Sequence, residues 1–180
     1  NPTKRQLQTI EVEDIPSIRK VKSQSRGMAG LNRMVGLTNL KRNITQHLNF
    51  VKMANMRMQL GMHTDMPPLH MIFTGNPGTG KTTVADFMGE IYASMGLLSK
   101  GDIIRVEKSD LVGEHVGETE QKVKSVLNRA KGNILFIDEA YQLCAKDGKK
   151  DFGANVIDAL LTTLSNDRVD MIVILAGYPA

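Results

Sequence analysis

Apolar residues along this chain fall into four short runs separated by longer amphipathic stretches. The runs at 69–74, 103–107, 134–137 and 171–176 are rich in Ile, Val, Leu, Phe and Met, and their length suits strands. The stretches between them, 81–94, 119–131 and 153–165, carry apolar positions at helical spacing. Strand–helix alternation with nearly continuous apolar strands predicts a parallel sheet covered on both faces. Its crossovers should be right-handed. Upstream, Leu40, Ile44, Leu48, Val51 and Met58 predict an amphipathic helix over 39–60, with Thr38 as its N-cap and Gly61 as its stop. Pro67-Pro68 then ends the connection to the first strand. Methionines at 53, 56, 58, 62 and 66 read as core filling, with a partner-binding methionine surface as the other reading.

Residues 1–30 have no sustained period. Pro2 and Pro16 interrupt them, a strand at 10–15 is only weakly signalled, and Ser23-Gln24-Ser25-Arg26-Gly27 resembles a linker. The expected organisation is a basic extension over 1–30 and one domain over 31–180. The extension joins the domain to something else or packs loosely over it. A chain of 180 residues is long enough for one sizeable core. No apolar run has the length of a membrane span, and no signal peptide precedes the domain.

The sequence pI of about 9.2 raises the question of nucleic acid. Six of the 23 Lys/Arg and three of the 19 Asp/Glu lie in residues 1–30, leaving 17 and 16 in the remainder. The body is thus near neutral, and the basic excess belongs to the extension. A dispersed basic tail is usually a solvated one, so a nucleic-acid partner is not favoured. Cys144 is the only cysteine, so no internal disulfide is possible and a reducing, cytoplasmic setting is the simple reading. Without a histidine signalled nearby, it reads as a small packing residue rather than a nucleophile.

The chemistry sits at the strand ends. Gly75-Asn76-Pro77-Gly78-Thr79-Gly80-Lys81-Thr82 follows the first apolar run and opens a helix, and it matches G-x-x-x-x-G-K-[ST] at every fixed position. Glycines let the backbone curl around phosphate oxygens with its N–H groups turned inward. The helix start adds the positive end of its dipole. Lys81 supplies charge to the β- and γ-phosphates, Thr82 offers a hydroxyl to Mg²⁺, and Pro77 stiffens the loop. Gly78, Thr79, Gly80 and Thr83 complete the binding set. Ile134-Leu135-Phe136-Ile137-Asp138-Glu139 is a buried strand ending in two acids, where ligands of open α/β sheets bind. Asp138 is suited to hold Mg²⁺, directly or through water. Glu139 is suited to act as general base toward the attacking water. A strand-end pair capping the next helix is the bland alternative, and the glycine loop upstream argues against it. These motifs point to a nucleoside triphosphate with Mg²⁺, and the expected fold class is an α/β, three-layer P-loop NTPase.

Several blocks carry a narrower resemblance. The stretch from His70 to Ala85, Asp110-Leu111-Val112-Gly113, Val116-Gly117-Glu118-Thr119, Phe136-Ile137-Asp138-Glu139-Ala140-Tyr141, Asp151-Phe152-Gly153 and Ala176-Gly177-Tyr178-Pro179 resemble the CbbX/CfxQ family of AAA+ ATPases. That family includes red-type Rubisco activase, the sporulation protein K group and ATPases of type VII secretion. The resemblance runs over 31–180. It implies ATP as the nucleotide, a Walker A motif at 75–82, a Walker B motif at 134–139, and a sheet ordered 5-1-4-3-2. It also implies that Val35 and Gly36 sit against the adenine, that subunits close into a ring, probably a hexamer, and that pore loops pull on a protein client. The loop 110–119, with Val112, His115 and Val116, would be the pore loop. Many relatives have an aromatic where His115 stands. A histidine grips less apolar surface and ionises near neutral pH, so client grip is weaker, pH-dependent or differently directed, unless His115 is a surface residue without a role. Tyr178 replaces the usual polar sensor. Its hydroxyl either reaches the γ-phosphate or the water, or the ring simply packs.

The same resemblance implies a fifth strand, an arginine finger and a helical lid beyond residue 180. The chain is accordingly expected to be a fragment of a longer ATPase, with its first strand at an exposed edge, slow or inactive hydrolysis by itself, and a native start upstream of Asn1. Arg168 precedes the last strand and is not assigned as the finger. The polar loop 145–151 reads as exposed and flexible, or as a contact with a neighbouring subunit. A nucleotide-dependent assembly scaffold without threading is the alternative to a remodelling motor. A nucleic-acid motor or loader that uses the basic extension is a more distant one.

Overall fold

The computed structural model describes residues 26–113, 115, 117–144, 152–164 and 170–178. In chain order these form helices α1 (Arg26–Arg33) and α2 (Thr38–Gln59), strand β1 (Met71–Thr74), helix α3 (Lys81–Ser94), strand β2 (Ile103–Val106) and the short helix α4 (Lys108–Leu111). Helix α5 (Glu118–Ala130), strand β3 (Ile134–Ile137), a 3₁₀ turn (Ala140–Cys144), helix α6 (Phe152–Leu164) and strand β4 (Ile172–Gly177) follow. The weak strand at 10–15, the loop 145–151, Val116 and Arg168 lie outside the described residues.

The four strands form one parallel sheet in the order β1-β4-β3-β2. This matches the expected alternation and the order implied for strands 1 to 4. β3 is buried on both faces, and its side chains divide the core in two. Ile134 and Phe136 join Val84, Met88 and Tyr92 of α3 and Ile44 and Leu48 of α2. Leu135 and Ile137 join Val123 and Val126 of α5 and Val156 and Leu160 of α6. The molecule is therefore a three-layer α/β structure. Truncating a side chain such as Phe136, 1% exposed, to Ala costs about 3–5 kcal/mol.

Helix α2 ends as its sequence implies. Gly61 adopts φ 72°, its N–H donates to Met58 O, and the Met62 N–H reaches back to Arg57 O. That is the Schellman arrangement a glycine permits. Its start differs from expectation. Leu37 is the N-cap at φ 56°, no side chain caps the helix, and Thr38 is already helical. The left-handed pair Gly36 and Leu37 turns the chain directly into the helix, so the Thr38 hydroxyl is not needed there.

The methionines also depart from their expected place. Ile44, Leu48, Val51 and Ala54 form the buried stripe of α2, whereas Met53, Met56, Met58 and Met62 are each at least half exposed, as are Phe50 and Leu60. Met53 and Met56 fall on the helix face turned away from that stripe, so they cannot fill the core. Cys144 is likewise exposed rather than packed.

Helix α1 begins at Arg26, ahead of the expected domain start at residue 31, and packs on α3. Leu31 is fully buried. Gly27 and Gly30 provide the close approach: a Cβ at Gly30 would collide with the Phe87 ring, and one at Gly27 with the Phe87 carbonyl. At the sheet edge β1 pairs only with β4 among the described residues, and Ile72 on it is 73% exposed. No helix among the described residues is long and apolar enough to cross a membrane.

Candidate nucleotide site

The C-terminal ends of β1, β3 and β4 meet at one cavity of about 400 Å³. Registry explains the convergence. β4 lies between β1 and β3, so Thr74 pairs with Gly177, and Ile137 with Leu175. The glycine loop and the two acids thus leave strand ends that flank β4 on either side. Gly75 N–H donates to Gly177 O at 3.1 Å, fastening the loop start to β4.

Within the loop, Gly78 and Gly80 adopt φ 72° and 84°, conformations a side chain would strain. Gly80 is the N-cap of α3, so the first amides of that helix face the cavity side of the loop. The Thr79 hydroxyl donates to Asn76 O at 2.8 Å and closes the turn. Lys81 Nζ donates to Gly75 O at 2.8 Å and to Asn76 O at 3.1 Å. It also lies 5.6 Å from the Tyr178 ring centroid, within cation–π range.

Across the cavity, Asp138 N–H donates to Val106 O at 3.0 Å, and the chain then leaves the sheet. Glu139 turns it sharply at φ 48°, with its N–H donating to Asp138 Oδ1 at 2.9 Å. Positive φ is uncommon for a non-glycine residue and clusters at functional sites. The Tyr178 hydroxyl donates to Glu139 Oε1 at 3.2 Å, and the Gln142 side-chain amide donates to Glu139 Oε2. Tyr178 also packs on Tyr141, ring centroids 5.5 Å apart. The hydrogen bond to Glu139 comes first in holding the Tyr178 hydroxyl pKa above the usual tyrosine value, followed by desolvation and by the charges of Glu139, Tyr141 and Asp138. The phenol therefore stays a donor through neutral pH.

Pro77, Gly78, Thr79, Gly80, Lys81, Thr82, Thr83, Asp138, Glu139 and Tyr178 all line this cavity, and Gly177 joins them. Val35 and Gly36 do not. Val35 is 97% exposed, while the neighbouring Met34 lies against Gly80. The donor set suits Mg²⁺: the Thr82 hydroxyl and the Asp138 carboxylate are hard oxygen ligands facing one space. Among the described residues no group of three His, Cys, Asp or Glu stands ready for a metal, so phosphate and water oxygens would have to complete the shell.

Val112 lies in the wall of a second cavity, about 370 Å³, with Lys108, Gly113, Gln142, Asp138 and Glu139. Its carbonyl accepts from Lys122 Nζ at 3.0 Å. His115 is exposed, and its backbone N–H donates to Glu118 Oε2 at 3.2 Å. Gln142 is the site residue that sequence reasoning missed. Its only signal is its place three residues after Glu139.

A three-layer α/β fold whose parallel sheet carries a glycine loop at the end of β1 and paired acids at the end of β3, across β4, defines a P-loop nucleotide-binding protein. The profile of the "ATPase family associated with various cellular activities (AAA)" matches residues 71–179, and the chain belongs to that family. Within it the chain is CbbX/CfxQ-like. It is 44% identical over 148 residues to Stage V sporulation protein K of Bacillus subtilis (strain 168), covering 82% of this chain and 46% of that protein. It is 45% identical over 145 residues to protein CbbX of Cereibacter sphaeroides, covering 81% and 47%. It is 44% identical over 145 residues to the chloroplastic ribulose bisphosphate carboxylase/oxygenase activase of Cyanidioschyzon merolae (strain NIES-3377 / 10D), covering 81% and 50%. The chain thus spans about half the length of these curated relatives. A solved structure of the E. coli MS115-1 HORMA:CdnC:Trip13 complex contains a chain of the same fold, with TM-score 0.58, 20% identity, and coverage of 86% of this chain and 60% of that one.

Proposed function

We propose that this chain is the nucleotide-handling part of an ATP-hydrolysing AAA+ ring that remodels a protein client. One observation carries the reading. One cavity of about 400 Å³ has the loop, Lys81 and Thr82 on one wall and Asp138 and Glu139 on the other. The loop N–H groups and the dipole of α3 stabilise phosphate charge without side-chain reorganisation. Lys81 exchanges its loop carbonyls for β- and γ-phosphate oxygens. Thr82 and Asp138 would hold Mg²⁺, whose charge would offset the negative charge of the phosphates. Glu139 accepts a proton from the attacking water as the γ-phosphoryl group transfers. The Tyr178 hydroxyl, already bonded to Glu139, is the sensor group of this proposal.

Val35 and Gly36 would sit against the adenine, outside the phosphate cavity, and the contact of Met34 with Gly80 supports that placement. A hexameric ring, a cytoplasmic setting and client grip through Val112, His115 and Val116 belong to the same proposal. Family membership and the exposure of His115 support them, as does the single cysteine. The test is ATP turnover by the full-length protein with and without Mg²⁺, together with capture of the client by the Glu139→Gln protein in ATP. Nucleotide-dependent capture with Mg²⁺-dependent turnover is expected. Turnover without capture would favour an assembly scaffold instead.

A further inference from the structure

We infer that Gln142 is a positioning residue for the Glu139 carboxylate. The inference rests on the ATPase reading and adds a residue to it. Glutamate has three rotatable side-chain bonds, and a water-activating carboxylate is useful only when it is held in place. Here the two carboxylate oxygens receive different donors. Tyr178 Oη–H reaches Oε1, and the Gln142 amide reaches Oε2. One donor alone would leave the group free to rotate about that contact, whereas two donors on separate oxygens fix its plane. A carboxylate offers about four lone-pair sites, so this grip leaves capacity to accept a proton from water.

Backbone geometry explains why Gln142 can do this. Residues Ala140–Cys144 form a 3₁₀ turn rather than an α-helix. In a 3₁₀ turn side chains three residues apart eclipse. Gln142 N–H donates to Glu139 O at 2.8 Å, so the turn begins on Glu139 itself and stacks side chain 142 over side chain 139. Glu139, at positive φ, lines both the nucleotide cavity, with Tyr178, and the adjoining second cavity, with Gln142. The amide is also uncharged. It orients the carboxylate without pairing away its charge, which a lysine at 142 would do.

The test uses Gln142→Met in the full-length protein, a change that keeps length and removes the donor. The expected result is a fall in kcat of about tenfold with KM for ATP unchanged. Combined with Glu139→Gln, the same change should cost nothing further, because its target carboxylate is gone. An unchanged kcat would overturn the inference. So would a loss carried in KM, or a full additional loss on the Glu139→Gln background, since either marks a role in folding or binding. A wild-type protein that binds ATP yet never hydrolyses it would instead overturn the ATPase reading, and this inference with it.

Discussion

The ammonium of Lys81 is bonded to the carbonyl of Gly75, 2.8 Å away at the other end of the loop it closes. This lysine therefore organises the phosphate loop as well as supplying its charge. Hydrogen bonds to charged groups contribute about 1.5–3 kcal/mol. Lys81→Ala should weaken ATP binding by about 10- to 100-fold. Titration with a fluorescent nucleotide would measure it, and an unchanged affinity would remove Lys81 from the site.

In the proposed reading His115 bears on the client rather than the nucleotide. It is exposed, and the bonds that hold it run through its backbone N–H and carbonyl to Glu118. His115→Ala in the full-length protein should retain ATP affinity and lower client-stimulated turnover. Equal stimulation in the two proteins would end the pore assignment.

Acid sensitivity should come from His47 and His70. Partial desolvation lowers both pKa values, His47 being half-buried and His70 more exposed. His47 Nε2 lies 3.0 Å from the Tyr92 hydroxyl, and His70 Nδ1 accepts the Val173 N–H at 3.0 Å. The folded pKa values lie below the unfolded value of about 6.5, so the unfolded chain binds more protons once pH drops past that point. Stability is then lost as pH falls below about 6.5. Thermal unfolding between pH 7.5 and 5 should show the decline, and a His47→Gln/His70→Gln protein should show less of it. A Tm that does not respond to pH would contradict the assignment.

Exposed and buried methionines should respond differently to substitution. Met53 and Met56 are 56% and 62% exposed, while Met88 is 0% exposed. Met53→Gln and Met56→Gln should each change unfolding free energy by less than about 0.5 kcal/mol. Met88→Ala should cost about 2–5 kcal/mol. Urea titrations distinguish these outcomes. A large loss at Met53 or Met56 would mean that the outer face of α2 is packed.

The contrast among methionines shows where the sequence was legible. Ile44, Leu48, Val51 and Ala54 repeat at helical spacing and are buried as expected. Spacing also located all four strands within a residue or two, because each is a short, mostly apolar run. The phosphate loop was legible because its glycines answer a local need, the left-handed backbone at residues 78 and 80. What stayed hidden depends on distant partners. Helix α1 has only eight residues, and its two glycines read as helix breakers until α3 supplies Phe87 and Ile91 to fill the notches they leave. The methionines gave no sign that, among the described residues, their side of α2 is exposed. Gln142 belongs to no period, and its contact with Glu139 exists because the turn after β3 is 3₁₀.

Hydrolysis by the full-length Glu139→Gln protein, measured alongside its ATP affinity, tests the central claim most directly. Removing one catalytic carboxylate while keeping the side chain's shape should leave ATP bound with near-normal affinity and lower turnover by about 10²- to 10⁴-fold. Turnover at the normal rate, with ATP still bound, would contradict the assignment of Glu139 as the general base.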